Sequence, residues 1–103
     1  MDVFETLADP TRRRMLDMLA MRECTAGEFV DAFPHLSQPS ISQHLRALRE
    51  ARLVEVRPEG QKRIYSLRSE GLREVEGWLA RFRRLSDQGA TSRSAPKRRK
   101  PQT

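Results

Sequence analysis

The apolar pattern of this chain changes period twice, and that change limits its fold more than any other feature. Up to about residue 51 apolar side chains return every three or four positions, the spacing of helices that bury one face. Between residues 53 and 67 two short runs rich in β-branched residues, Leu53-Val54-Glu55-Val56-Arg57 and Gln61-Lys62-Arg63-Ile64-Tyr65-Ser66-Leu67, flank Pro58-Glu59-Gly60 and predict a hairpin. From Ser69 the helical spacing resumes. The expected order is four helices, a hairpin and a final helix, a mainly α chain with one small β element. At 103 residues there is room for one core, so residues 1–85 are expected to form a single domain. A domain this small buries a modest share of its surface and is often completed by a partner.

Helix boundaries are written in capping residues. Val3, Phe4 and Leu7 give a first short helix. Asp9-Pro10 then supplies an N-cap and a proline at the first helical position for a second, running to about Met21 with Met15, Leu16, Met18 and Leu19 as its inner stripe. Arg12, Arg13 and Arg14 in its opening turn oppose the helix dipole, so packing is expected to carry it. Thr25-Ala26-Gly27-Glu28 has the spacing of a capping box, and Ala26, Phe29, Val30 and Phe33 face inward until Pro34 ends this third helix. Ser37 caps a fourth, Gln38 to about Ala51, with Ile41, Leu45 and Leu48 inward. At about 100° per residue from Ile41, Ser42, Arg46, Pro39 and Gln43 fall at roughly 100°, 140°, 160° and 200°, so the outward face is small and polar. The last helix carries Leu72, Val75, Leu79, Phe82 and Leu85 at helical spacing with Trp78 alongside, a narrow seam with a bulky aromatic that is more than this core needs; a partner helix is the economical explanation, and packing on the first helix of the same chain is the alternative.

Charge is distributed unevenly. Residues 1–37 hold 4 basic and 7 acidic side chains, residues 38–68 hold 7 and 3, residues 69–85 hold 4 and 3, and residues 86–103 hold 5 and 1. Positive charge therefore gathers in the fourth helix and hairpin and in the tail, as a face for a polyanion requires, although charge alone fits a solvated basic surface equally well. The tail from Ser86 lacks aromatic residues and Val, Ile, Leu and Met, and is expected to be a disordered basic segment. No apolar run approaches the roughly 20 residues of a membrane span, and the start of the chain is acidic, so a cytoplasmic protein without membrane contact is expected.

Two helices joined by a short turn and followed by a basic hairpin make a winged helix-turn-helix, whose second helix enters the major groove of double-stranded DNA while the hairpin reaches the neighbouring backbone. Gln38, Ser40, Ser42 and Gln43 offer amides and hydroxyls suited to base edges, glutamine to adenine above all. Arg46 on the helix and Arg57, Lys62 and Arg63 in the wing, with Gln61 near its tip, are placed for phosphates. Ser40 and Ser42 have the alternative of bonding phosphate or local backbone. His44, at about 300° on the same wheel, reads as a packed or hydrogen-bonded histidine. Tyr65 reads as wing packing.

The residues Leu7-Ala8-Asp9-Pro10-Thr11-Arg12, Leu36-Ser37-Gln38-Pro39-Ser40-Ile41-Ser42-Gln43-His44-Leu45 and Gly60-Gln61-Lys62-Arg63-Ile64-Tyr65-Ser66-Leu67 resemble the ArsR/SmtB family of bacterial transcriptional regulators. The resemblance spans roughly residues 3–85. It implies a homodimer through the first and last helices, which puts Val3, Phe4, Leu72, Val75, Trp78, Leu79 and Phe82 at the interface. It further implies an inverted-repeat operator and repression relieved by a ligand, of which these residues carry no mark.

Many relatives hold a metal through a cysteine pair in the third helix or a histidine-and-acid set in the last. This chain departs from both patterns: Cys24 is its only cysteine, and residues 69–85 contain no histidine. No cofactor is expected, and Cys24 reads as a small packed residue before it reads as a redox switch. A metal-responsive regulator with an Asp/Glu/His site between subunits is one alternative. A winged-helix module that binds protein is another, and it would need an exposed apolar patch on the fourth helix. Enzyme readings find no glycine-rich phosphate loop and no nucleophile elbow.

Overall fold

The computed structural model describes residues 1–85; the basic tail lies outside the described residues. Its elements run α1 (Val3–Leu7), α2 (Pro10–Met21), β1 (Cys24–Thr25), α3 (Ala26–Ala32), α4 (Gln38–Glu50), β2 (Val54–Glu59), β3 (Lys62–Leu67) and α5 (Ser69–Ala80). The three strands form one antiparallel sheet in the order β1-β3-β2.

Most of the expected caps are in place. The Asp9 carboxylate accepts from the N–H groups of Thr11 and Arg12 at 2.8 and 3.2 Å, and Pro10 opens α2. Thr25 and Glu28 exchange the two bonds of a capping box. A second box, Asp2 with Glu5, starts α1. The arginines that oppose the α2 dipole turn back to serve α1: Arg12 donates to the Thr6 carbonyl and Arg13 to the Leu7 carbonyl. They satisfy acceptors that a short helix leaves open at its C-terminal end.

Beneath these helices lies one core. Met15, Phe29, Leu48 and Leu53 are fully buried, joined by Val3, Leu19, Phe33, Ile41, Leu45, Val54 and Tyr65. Phe29 and Tyr65 meet edge-on with ring centroids 6.0 Å apart, which fixes α3 against β3. Leu16 and Met18 are only half-buried, so the inner stripe of α2 is narrower than its pattern implied. Val3, expected at a dimer interface, is instead only 3% exposed in the chain's own core.

The exit from α4 sets the wing. The Leu53 N–H bonds the Leu48 carbonyl and the Arg52 N–H bonds the Arg49 carbonyl, both at 3.0 Å. This is a Schellman ending, with Arg52 taking the left-handed place at φ 61° that glycine usually fills. The hairpin itself differs from expectation at its tip. Strand β2 continues through Pro58 and Glu59, which pair with Arg63 and Lys62, and the turn is the two residues Gly60-Gln61. Only Gly60 has positive φ, as a type II′ turn requires. Pro58 is accommodated because β2 is an edge strand.

Strand β1 was absent from the expected elements. Its two residues pair as Cys24 with Tyr65 and Thr25 with Ile64, and a segment that short has no period to read. Helix α5 ends at Ala80, followed by a turn at Arg81–Phe82, so Phe82 and Leu85 extend the seam beyond the helix. No helix among the described residues is long and apolar enough to cross a membrane.

Candidate nucleic-acid interface

Helix α4 is held from both ends and from below. The Ser37 hydroxyl accepts the Ser40 N–H at 3.2 Å, the Schellman bonds close the other end, and Ile41, Leu45 and Leu48 anchor the inner face. Gln38, Ser42, Gln43 and Arg46 are consequently exposed along one side, with Ser40 half-buried among them. Ser40 is tied through its backbone, not its hydroxyl, in the contact with Ser37. No large apolar side chain is exposed on α4, so the patch that a protein-binding module would need is missing there.

Across from this helix the wing forms the second wall of an open cleft. Ser42, Arg46 and Arg63 all line it, brought together from α4 and β3. The cleft also holds Arg49 and Arg68, which the candidate set did not include, and the acids Glu50 and Glu55. Arg49 was legible: on the helical wheel it falls at roughly 80°, next to Ser42. Arg68 was not, because it follows the last strand, where no period continues. Gln61 and Lys62 stand apart at the exposed wing tip. Gln38 and Ser42 also face a shallow hollow with Val30 and Pro39 between α3 and α4.

Not every candidate cation is free. Arg57 forms a two-pronged ion pair with Glu23, 2.9 Å to each oxygen, tying the wing to the approach to β1. The Arg57 hydrogen bond holds the Glu23 carboxyl below its usual range. Arg57, expected at a DNA phosphate, is thus paired within the chain through a half-exposed ion pair. Arg46 reaches Glu50 at 3.5 Å, a loose and largely exposed pair. Arg68 closes on Glu70 at 2.8 Å beside the start of α5. His44 is half-buried and accepts from Arg12 Nε at 3.2 Å, the hydrogen-bonded role expected of it.

Cys24 is buried, its thiol donates to the Arg22 carbonyl at 3.5 Å, and burial pushes the thiol pKa up, away from the reactive thiolate. Among the described residues of one chain, no three His, Cys, Asp or Glu side chains converge on a point that could hold a metal ion.

The seam residues divide in the same way. Val75 is half-buried against the core, while Leu72, Trp78, Leu79 and Phe82 are 36%, 45%, 53% and 43% exposed and Phe4 is 37% exposed. Phe4 meets Trp78 edge-on at 5.5 Å, and Trp78 meets Phe82 at 5.0 Å. The first and last helices therefore touch within one chain and still leave an aromatic face uncovered.

Comparison with known proteins places this geometry. Residues 9–56, covering α2 through the first half of β2, match the model of the bacterial regulatory proteins of the arsR family. The chain is 38% identical over 81 residues to the transcriptional repressor SdpR of Bacillus subtilis, covering 79% of this chain and 89% of that one. The chain belongs to the ArsR family. A further relative, the HTH-type transcriptional regulator Rv2034 of Mycobacterium tuberculosis, is 42% identical over 79 residues, 77% of this chain and 73% of its own length. The crystal structure of the ArsR family transcriptional regulator RHA00566 superposes with a TM-score of 0.73 at 30% identity, covering 82% of this chain and 87% of that one. This ArsR-family chain is a DNA-binding transcriptional regulator with a winged helix fold, and its family is one of regulators, not enzymes.

Proposed function

We propose that the protein is a homodimeric, cytoplasmic repressor that reads an inverted-repeat operator. The observation that carries this reading is the cleft with Ser42 and Arg46 on one wall and Arg63 on the other. A helix lying in a major groove and a wing reaching past it have one sugar–phosphate strand between them, and arginines on both walls suit that strand. Gln38, Ser40, Ser42 and Gln43 present the groups that read base edges, Gln43 from the crest of the exposed face. Arg46, Arg57, Arg63, Lys62 and the added Arg49 and Arg68 supply phosphate contacts, Arg57 and Arg68 by exchanging their exposed carboxylate partners for phosphate, with Gln61 at the wing tip.

Dimerisation gives the two helices their spacing. The uncovered face of Phe4, Leu72, Trp78, Leu79 and Phe82 pairs with its copy, and the two α4 helices then enter successive major grooves about 34 to 36 Å apart. Repression rather than activation is supported by the relative named as a repressor.

Selection of binding sites from a random duplex library by the purified protein tests this reading. The expected winner is an imperfect palindrome with half-site centres one helical turn apart. A pool that shows no enriched sequence, or a single half-site bound by a monomer, contradicts it.

A further inference from the structure

Two motifs that serve different elements meet at one hydrogen bond. Arg12, from the Asp9-Pro10-Thr11-Arg12 opening of α2, donates from Nε to Nδ1 of His44 in the middle of α4 over 3.2 Å. The same guanidinium donates through Nη1 to the Thr6 carbonyl at the end of α1 and to the Met1 sulfur, both at 3.3 Å. Its backbone is fixed as well, because the Arg12 N–H is one of the donors to Asp9. One side chain therefore spans α1, whose Phe4 belongs to the open aromatic face, α2, and α4, where His44 adjoins Gln43. The bond is partly buried, which shields it from competition by water.

We propose that Arg12 is a positioning residue for DNA reading: through His44 it sets the angle at which α4 leaves the α1–α2 pair, and it does so only while the imidazole is neutral. This rests on the DNA-binding reading above and adds a condition to it. A neutral imidazole keeps one ring nitrogen free to accept, whereas a protonated one donates from both. Protonation turns the contact into donor against donor, with two positive charges facing. The groups opposite the ring are Arg12 and Asp9 from α2. Its own helix offers Ser40, Ile41, Ala47 and Leu48 at one-turn spacings, none ionisable. From α1 comes the Thr6 carbonyl and from ahead of its cap the Met1 sulfur, both on Arg12. Asp9 softens the repulsion, and the Thr11 and Arg12 N–H groups that bond its Oδ1 hold it in place as the cap of α2.

The test is anisotropy binding to the selected operator duplex at about pH 7.5 and about pH 5.5, at fixed ionic strength, for the wild type, His44→Gln, His44→Leu and Arg12→Ala. Circular dichroism at both pH values establishes that each is folded. Wild-type affinity is expected to fall about fivefold in acid, the loss of one net hydrogen bond. His44→Gln, whose amide oxygen accepts from Arg12 without titrating, keeps its affinity at both pH values, and His44→Leu is weak at both. Imidazole nitrogen NMR on the free protein reads the bond without DNA: the Nδ1 resonance moves in Arg12→Ala. Parallel pH profiles for wild type and His44→Gln, or an unmoved Nδ1 resonance, overturn the inference alone. Absence of sequence-selective binding by the wild type at any pH contradicts the regulator reading and removes the basis of this one with it.

Discussion

Gly71 is the position where one methyl group does most damage. A Cβ there would stand 2.5 Å from the Ala51 carbonyl oxygen and 2.9 Å from that of Arg52, backbone atoms that cannot swing aside. Its N–H bonds the Arg52 carbonyl at 2.8 Å, so the start of α5 is seated directly on the exit of α4. Gly71→Ala is expected to lower stability by about 1 to 3 kcal/mol in urea denaturation; an unchanged midpoint would contradict this seating. At the neighbouring Arg52 the opposite substitution helps. Relief of a left-handed φ outweighs the entropy of glycine, and Arg52→Gly is expected to gain about 0.5 to 1 kcal/mol in the same assay. Asp9 brings a pH dependence. Burial works against its ionisation, but the Arg12 and Thr11 N–H groups and the charges of His44 and Arg12 outweigh burial and hold its pKa below the ordinary value. Its contribution is therefore complete above the unfolded carboxyl pKa of about 3.9 and is lost as pH falls through the lower folded value. Asp9→Ala should lower the melting temperature near neutrality, by the roughly 1 kcal/mol of an N-cap, and flatten the acid limb of the stability curve.

At the scale of elements, the recognition helix and the wing divide the work and fail differently. Gln43→Ala is expected to relax base preference at one position per half-site by about 1 to 3 kcal/mol in a selected-site assay. A variant that keeps the wild-type preference would remove Gln43 from the reading set. Arg63→Ala should weaken all duplexes alike and lower the salt slope by about one unit, measured by titration across salt concentrations. Sequence legibility follows the same division. Helix α4 could be read because Ile41, Leu45 and Leu48 repeat over two turns and Ser37 marks the start of the helix. The existence of the wing could be read from Val54, Val56, Ile64 and Tyr65. Strand β1 could not, since Cys24 and Thr25 become a strand only by pairing with Ile64 and Tyr65, forty residues on. The pairing of Arg57 with Glu23 was equally hidden, because the two are brought together across the sheet and no local spacing records it.

At the scale of the whole molecule, the proposed function makes the open aromatic face and the cleft two halves of one device, joined through the α1–α2–α4 junction. Phe4, Trp78 and Phe82 stack edge-to-face within the chain and remain partly exposed, and the proposed dimer covers them. Trp78→Glu places a charge in that face and is expected to abolish the dimer and operator binding together. Sedimentation showing an intact dimer for this folded variant would place the interface elsewhere. Val3 was assigned to the interface because pattern alone cannot tell an apolar residue turned toward its own core from one turned toward a partner; in the fold it lies inward. The most direct measurement is fluorescence-anisotropy binding of the wild type to the duplex upstream of its own gene and to a scrambled duplex of the same composition, at two salt concentrations. Tight binding to the first, weak binding to the second, and a loss of affinity for both as salt rises are the predicted result. Equal affinity for the two duplexes would contradict a helix that reads sequence.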